Sequence, residues 1–120
     1  MAAVQNPGPT GATGATGPGI TTQTSKYATR AIDGTVYHNT LPTTIWVSVS
    51  AFSASGIAIS KLLAVSDSSA TPTVSVAAAS TPIVTGNYSV TLFFPVLPGN
   101  YYYVTAIGAA LTKDIWMEYS

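Results

Sequence analysis

Between residues 44 and 51 apolar and polar side chains alternate, with Ile45, Val47, Val49 and Ala51 on one side and Trp46, Ser48 and Ser50 on the other. A period of two predicts a half-buried β-strand. The same period runs through 88–96, where Tyr88, Val90, Leu92 and Phe94 share a face. Shorter runs at 35–38, 57–66, 74–76, 101–106 and 114–119 fit the pattern, and turn chemistry separates them: 39–42, Gly56, Asp67-Ser68-Ser69 with Thr71-Pro72, Thr81-Pro82 and Gly86-Asn87. Leu97-Pro98-Gly99-Asn100 puts Pro and Gly at the two central positions of a type II turn. Within 57–66 the alternation breaks at Leu62-Leu63, as a bulge or a second-face contact requires. The expected fold class is therefore all-β: seven or eight short antiparallel strands over 35–120, closed into a two-sheet sandwich of jelly-roll or immunoglobulin-like wiring. Consecutive Tyr101, Tyr102 and Tyr103 must point alternately to two faces. The expectation is that Tyr101 and Tyr103 enter the core while Tyr102 faces a neighbouring subunit.

Before these strands the pattern is of another kind. Residues 7–19 read PGPTGATGATGPG, with Gly8, Gly11, Gly14 and Gly17 at strict period three and Pro9 and Pro18 directly after glycines. Three polyproline-II chains wound together leave no room for a side chain at their axis, so a collagen-like triple helix needs Gly at every third place. The spacing predicts a short triple-helical stalk over 1–19, about 35 Å long at roughly 3 Å per residue, and hence three chains. Four triplets hold no triple helix by themselves, so the β domain is expected to be the trimeriser. Residues 20–34, polar and without a period, are expected to connect the two.

Charge removes several classes of function. Asp, Glu, Lys and Arg make up 7% of the 120 residues, with a formal net charge of zero, against roughly 25% charged residues in an average protein. Nucleic-acid binding by counterion release needs a basic stripe that this chain lacks, and a polybasic membrane anchor is excluded on the same count. No apolar run approaches the roughly 18 residues of a membrane span, and the first residues do not read as a secretory signal. Ser and Thr supply the polar surface instead, 31 residues in all. With no cysteine, neither a disulfide framework nor a thiolate metal site is available.

Candidate chemistry is sparse. His38 is the only histidine and the carboxylates are Asp33, Asp67, Asp114 and Glu118, so a nucleophile–base–acid set would rest on His38 with Asp33. Asp114 and Glu118, four residues apart on a strand, would lie on one face at roughly 13 Å, too far for a glycosidase pair. Asp67 with Ser68 and Ser69 offers calcium one carboxylate and reads more simply as a solvated turn. No catalytic residue, metal site or cofactor is expected. Aromatic rings are the better candidates for binding, because their flat faces stack on sugars and on partner surfaces. Trp46, Trp116 and Tyr102 are the residues expected at a trimer interface or a ligand-stacking surface.

The triplet tract running directly into a small β domain resembles the fibre proteins of tailed bacteriophages, whose collagen-like stalks end in trimeric β heads. Tyr37-His38-Asn39-Thr40 entering a strand, and Val96-Leu97-Pro98-Gly99-Asn100-Tyr101-Tyr102 closing one, are similar to patterns in C-terminal domains of phage tail and head fibres. The resemblance covers most of the chain. It implies a non-enzymatic homotrimer on the outside of the virion, joined to other virion proteins at its N-terminal side. It also implies a head that adheres to a glycan or protein of the host surface. Two alternatives stand beside it: a passive trimerisation or capsid/tail decoration module without a receptor, and a spore or cell-surface collagen-like adhesin, similar to spore glycoproteins with longer repeats.

Removing residues 1–19 is expected to leave a trimeric β domain, whereas a stalk peptide alone is monomeric and unfolded. Light-scattering masses of the two pieces check this division of labour, and a monomeric truncated head reverses it.

Overall fold

The computed structural model describes residues 19–53, 60–81, 88–108 and 111–120. Gly8, Gly11, Gly14 and Gly17, and positions 57–59 of an expected strand, lie outside the described residues. Eight strands are present among those described: β1 (Gln23–Ser25), β2 (Tyr37–His38), β3 (Ile45–Ser53), β4 (Ser60–Asp67), β5 (Ser75–Ser80), β6 (Tyr88–Val96), β7 (Tyr101–Gly108) and β8 (Thr112–Tyr119). They form two antiparallel four-stranded sheets, one in the order β1-β8-β3-β6 and the other β2-β7-β4-β5. The described residues contain no helix.

The alternations at 44–51 and 88–96 become the two longest strands. β3 buries every odd residue from Ile45 to Ser53, and β6 buries Val90, Leu92, Phe94 and Val96 against it. Pro95 carries no N–H for a ladder, and β6 tolerates it because it is an edge strand, paired only with β3. From the second sheet Leu62, Ala64, Tyr102 and Val104 complete the core, and Trp116 of β8 is fully buried among them. The expected bulge in β4 is present two residues on, where the register with β5 shifts at Ala64/Val65.

The expected parity at 101–103 is reversed. Tyr102 is 1% exposed, while Tyr101 and Tyr103 are half-buried on the outer side. Val104 is buried and shares Tyr102's face, so the β7 register that seats Val104 in the core brings Tyr102 in with it. Residues 20–34 are also more than a connector. Gln23–Ser25 pair with 117–119 as β1, and Asp33 bridges Thr105, so the segment belongs to the sandwich.

At the end where the chain enters, one side chain ties three segments together. Asn39, 2% exposed, donates from Nδ2 to the carbonyls of Thr43 (3.0 Å), Val96 (3.0 Å) and Leu97 (3.2 Å) and accepts the Leu41 N–H at Oδ1 (3.1 Å). Its backbone accepts from Gly99 and donates to Asn100. The 97–100 turn closes as its sequence predicts, with Asn100 N–H on the Leu97 carbonyl at 3.0 Å and Gly99 at φ 81°.

Asn39→Ala strands several buried carbonyls and should cost on the order of 3 kcal/mol. Gly99→Ala meets no atom within 4 Å and should cost only the left-handed backbone strain, about 1 kcal/mol. Urea unfolding midpoints of the two variants test this ranking.

Candidate functional site: an uncharged aromatic sheet face

β8 is the strand that departs most from a simple inside–outside division. Trp116 and Glu118 point into the sandwich, where they stand opposite Val49 and Val47. Ile115, Met117 and Tyr119 therefore point out. The outward row is the more apolar of the two, the reverse of what a strand washed by water on one side shows.

What holds Glu118 inside is a convergent set of donors. Its Oε1 accepts from Tyr102 Oη at 2.7 Å, Trp116 Nε1 at 3.1 Å and Arg30 Nε at 3.1 Å. Arg30 in turn lies over the Tyr37 ring, 4.4 Å from its centroid, and Tyr37 packs at 5.8 Å from Tyr102 and 5.9 Å from Trp116. Lys113 Nζ donates to the carbonyls of Tyr27 and Arg30, so the 26–30 turn is fastened to β8 twice. Burial above all, and then the bond to Glu118, push the Tyr102 hydroxyl well above the ordinary tyrosine range.

On the outside of the same sheet three rings from three strands meet. Trp46 of β3 stacks on Phe93 of β6 with centroids 5.3 Å apart and planes 13° apart, and Tyr119 of β8 meets Phe93 edge-on at 6.4 Å. Met117 and Phe93 flank Ser48 on either side. Phe93 is 56% exposed and Ile115 45%. The outward positions of β1 and β3 beside these rings, Gln23, Ser25, Ser48 and Ser50, are uncharged. Next to Trp46 a groove of about 420 Å³ is lined by Gly19, Ile20, Leu41, Pro42 and Ser120.

Of the expected site residues, then, Trp46 lies on the outer face, whereas Trp116 and Tyr102 are in the core and cannot touch a partner or ligand with their rings. Phe93, Met117 and Tyr119 join Trp46 instead. The Phe93-Phe94 pair is the signal that pointed to an outward ring, since one of two adjacent strand residues must face away from the core.

The polar candidates are each engaged locally. Asp33 Oδ1 accepts the Thr35 hydroxyl (2.6 Å) and N–H (3.0 Å), and these bonds hold its carboxyl below the usual range. His38 stacks on Tyr101 at 4.0 Å with Nε2 3.2 Å from the Gly99 carbonyl oxygen. Asp67 accepts the N–H groups of Thr73, Ser69 and Val74, which lower its pKa and close its own loop. Asp114 falls where the β3–β8 register shifts, so strict alternation does not put it on one face with Glu118. Among the described residues no three His, Asp or Glu side chains cluster.

Comparison with known proteins returns no match: no family model, no curated protein and no solved structure is similar enough to the chain to carry an argument.

Tyr102 gives the core a pH signature. Above about pH 10 the unfolded chain releases the tyrosine proton while the folded chain keeps it, so the folded state loses stability as pH rises, with a slope of about 1.4 kcal/mol per pH unit for one proton. Tyr102→Phe should be less stable than the parent at neutral pH and should decline less steeply between pH 10 and 11.5. Denaturant titrations at several pH values read both effects.

Proposed function

We propose that the chain is a non-enzymatic homotrimeric fibre protein of a tailed-phage virion. In this reading the Gly-X-Y tract is a triple-helical stalk on the side of other virion proteins, and the β-sandwich is a head that holds on to a glycan or protein of the host surface. The observation that carries the reading is where the two patterns meet. The period-three glycines stop within a few residues of β1, and β1 is already part of the sheet whose outer face is aromatic and uncharged. A chain that needs two companions at its N-terminus thus delivers them to an apolar face.

The wiring supports the same reading. The partners β1·β8, β2·β7, β3·β6 and β4·β5 are those of one long hairpin rolled up, which favours the jelly roll over the immunoglobulin-like order. Viral capsid and lectin domains share that architecture, although a fold alone assigns no function.

A passive trimerisation or decoration module is the second reading, and a specific observation favours it. The described loops 39–44, 67–74 and 97–100 carry no aromatic ring; beside Tyr27 on the 26–30 turn, the exposed large rings Tyr88 and Phe93 sit on a strand.

Light scattering on the full chain should give three times the single-chain 12.3 kDa, and a single-chain mass at micromolar concentration would sink the proposal. Retention of the purified trimer on cells of one bacterial strain, or on a glycan array, favours adhesion; a trimer that binds none of them favours the decoration module.

A further inference from the structure

The outer face of the β1-β8-β3-β6 sheet leaves an apolar surface uncovered, and the end of the triplet tract indicates what covers it. We infer that a second and a third copy of this chain pack there, with Trp46, Phe93 and Tyr119 nearest the threefold axis. The inference rests on the trimeric fibre reading and adds the face through which the heads meet.

Geometry at the chain entry is the first support. Thr21 and Thr22 both donate to the Ser120 carbonyl at 2.8 Å, and Ser120 donates back to Thr22 at 2.9 Å. The chain two and three residues past the tract is therefore tied to the end of β8, one residue beyond Tyr119. Gly19 and Trp46 line the same groove. In a triple helix the three chains run side by side around a shared axis. Three copies of Gly19 close to that axis bring three copies of the Trp46 edge close to it as well.

Charge distinguishes this face from its counterpart. The outer side of the second sheet carries Lys61 and Asp67 on β4, which alternate with the buried Ser60, Leu62, Ala64 and Ser66. The outer positions around Phe93 and Met117 are apolar or hydroxyl-bearing. Three symmetry-related copies place like against like near the axis, so the uncharged patch around Trp46, Phe93 and Tyr119 assembles there without repulsion, with Asp114 toward the other end of β8, whereas lysines repeated in the patch would oppose it.

β8 supplies the third support. Its outward residues Ile115, Met117 and Tyr119 are apolar while a carboxylate is carried inward. In a monomer this arrangement exposes apolar surface to water at a cost, with Ile115 at 45% and, on the far side of β3, Phe93 at 56% exposure. Burial against another subunit reverses that cost.

The test uses the full chain. Light scattering across a dilution series should show a trimer for the parent, and for Phe93→Glu a dissociation midpoint raised at least about tenfold in concentration, as expected for a central aromatic contact. Because the chain has no cysteine, Ser48→Cys reports the same face by maleimide labelling, with Thr71→Cys on the exposed 67–74 loop as reference. Ser48→Cys, half-buried within one chain, should label several-fold more slowly in the trimer than after dilution to single chains, while Thr71→Cys labels at the same rate in both. If Phe93→Glu fails to fold, the labelling alone decides. A trimer that is unaffected by Phe93→Glu, or whose Ser48→Cys labelling rate does not change on dissociation, overturns the location and leaves the fibre reading intact. A parent chain of single-chain mass overturns both.

Discussion

Side chains of a β-strand alternate between its faces, so burying Trp116 commits the whole of β8. Glu118 must follow Trp116 inward, and Ile115, Met117 and Tyr119 must go outward. Moving the strand by one residue would seat the three apolar side chains in the core and return the carboxylate to water. The observed register is held against that alternative by what it satisfies. Trp116 fills the space between Val49 and the Tyr37 ring, and its indole N–H, the Tyr102 hydroxyl and the Arg30 guanidinium all find the one carboxylate oxygen. A buried carboxylate without them would be strongly destabilising, and each donor would be left unsatisfied without it. The polar network thus selects a register that hydrophobicity alone would not.

The N-terminal segment depends on the same commitment. Residues 26–30 have few apolar contacts of their own, and they are held by Arg30 on Glu118, by Lys113 on two backbone carbonyls and by the Lys26 N–H on the Trp116 carbonyl. Each of these attachments ends on β8. Tension transmitted along the chain from the Gly-X-Y side would reach β8 first through Thr21, Thr22 and Ser120. In an antiparallel sheet the load then spreads to β3, whose pairing with β8 and β6 runs nearly its full length.

Particular residues show how far the fold was legible in the chain. Ile45 to Ala51 and Val90 to Phe94 declare their strands because one face of each is wholly buried and the other solvated, the condition under which a period of two appears. Gln23–Ser25 declare nothing: all three are exposed, and they form a strand only through backbone bonds to β8. Tyr102 was misassigned because three identical residues carry no parity of their own. The parity lay further along, where Val104 continues Tyr102's face and Thr105 that of Tyr103. Trp116 was harder, since its strand hides an apolar residue beside a charged one. The ion pair responsible joins positions 88 residues apart, which no local period reports. Trp46 and Phe93 were readable as outward rings, but their stacking across β3 and β6 became visible only with the register.

In the proposed trimer the stalk would depend on the head, and this shapes how they would work together. Four triplets are too few for a triple helix in isolation, so in that reading the sheet face has to bring the chains together first. Joined within a few residues, each raises the effective concentration of the other, because once three heads meet the stalks are held in a volume set by a very short tether. The bonds from Thr21 and Thr22 to Ser120 make that tether short and stiff, which keeps the effective concentration near the maximum that geometry permits. In that reading the bonds at Thr21 and Thr22 would set how the chain enters the sheet, so the face turned to the axis would be decided in each chain before assembly. An uncharged surface suits such a device, since strong like charges around a threefold axis would consume the stabilisation that the linkage provides.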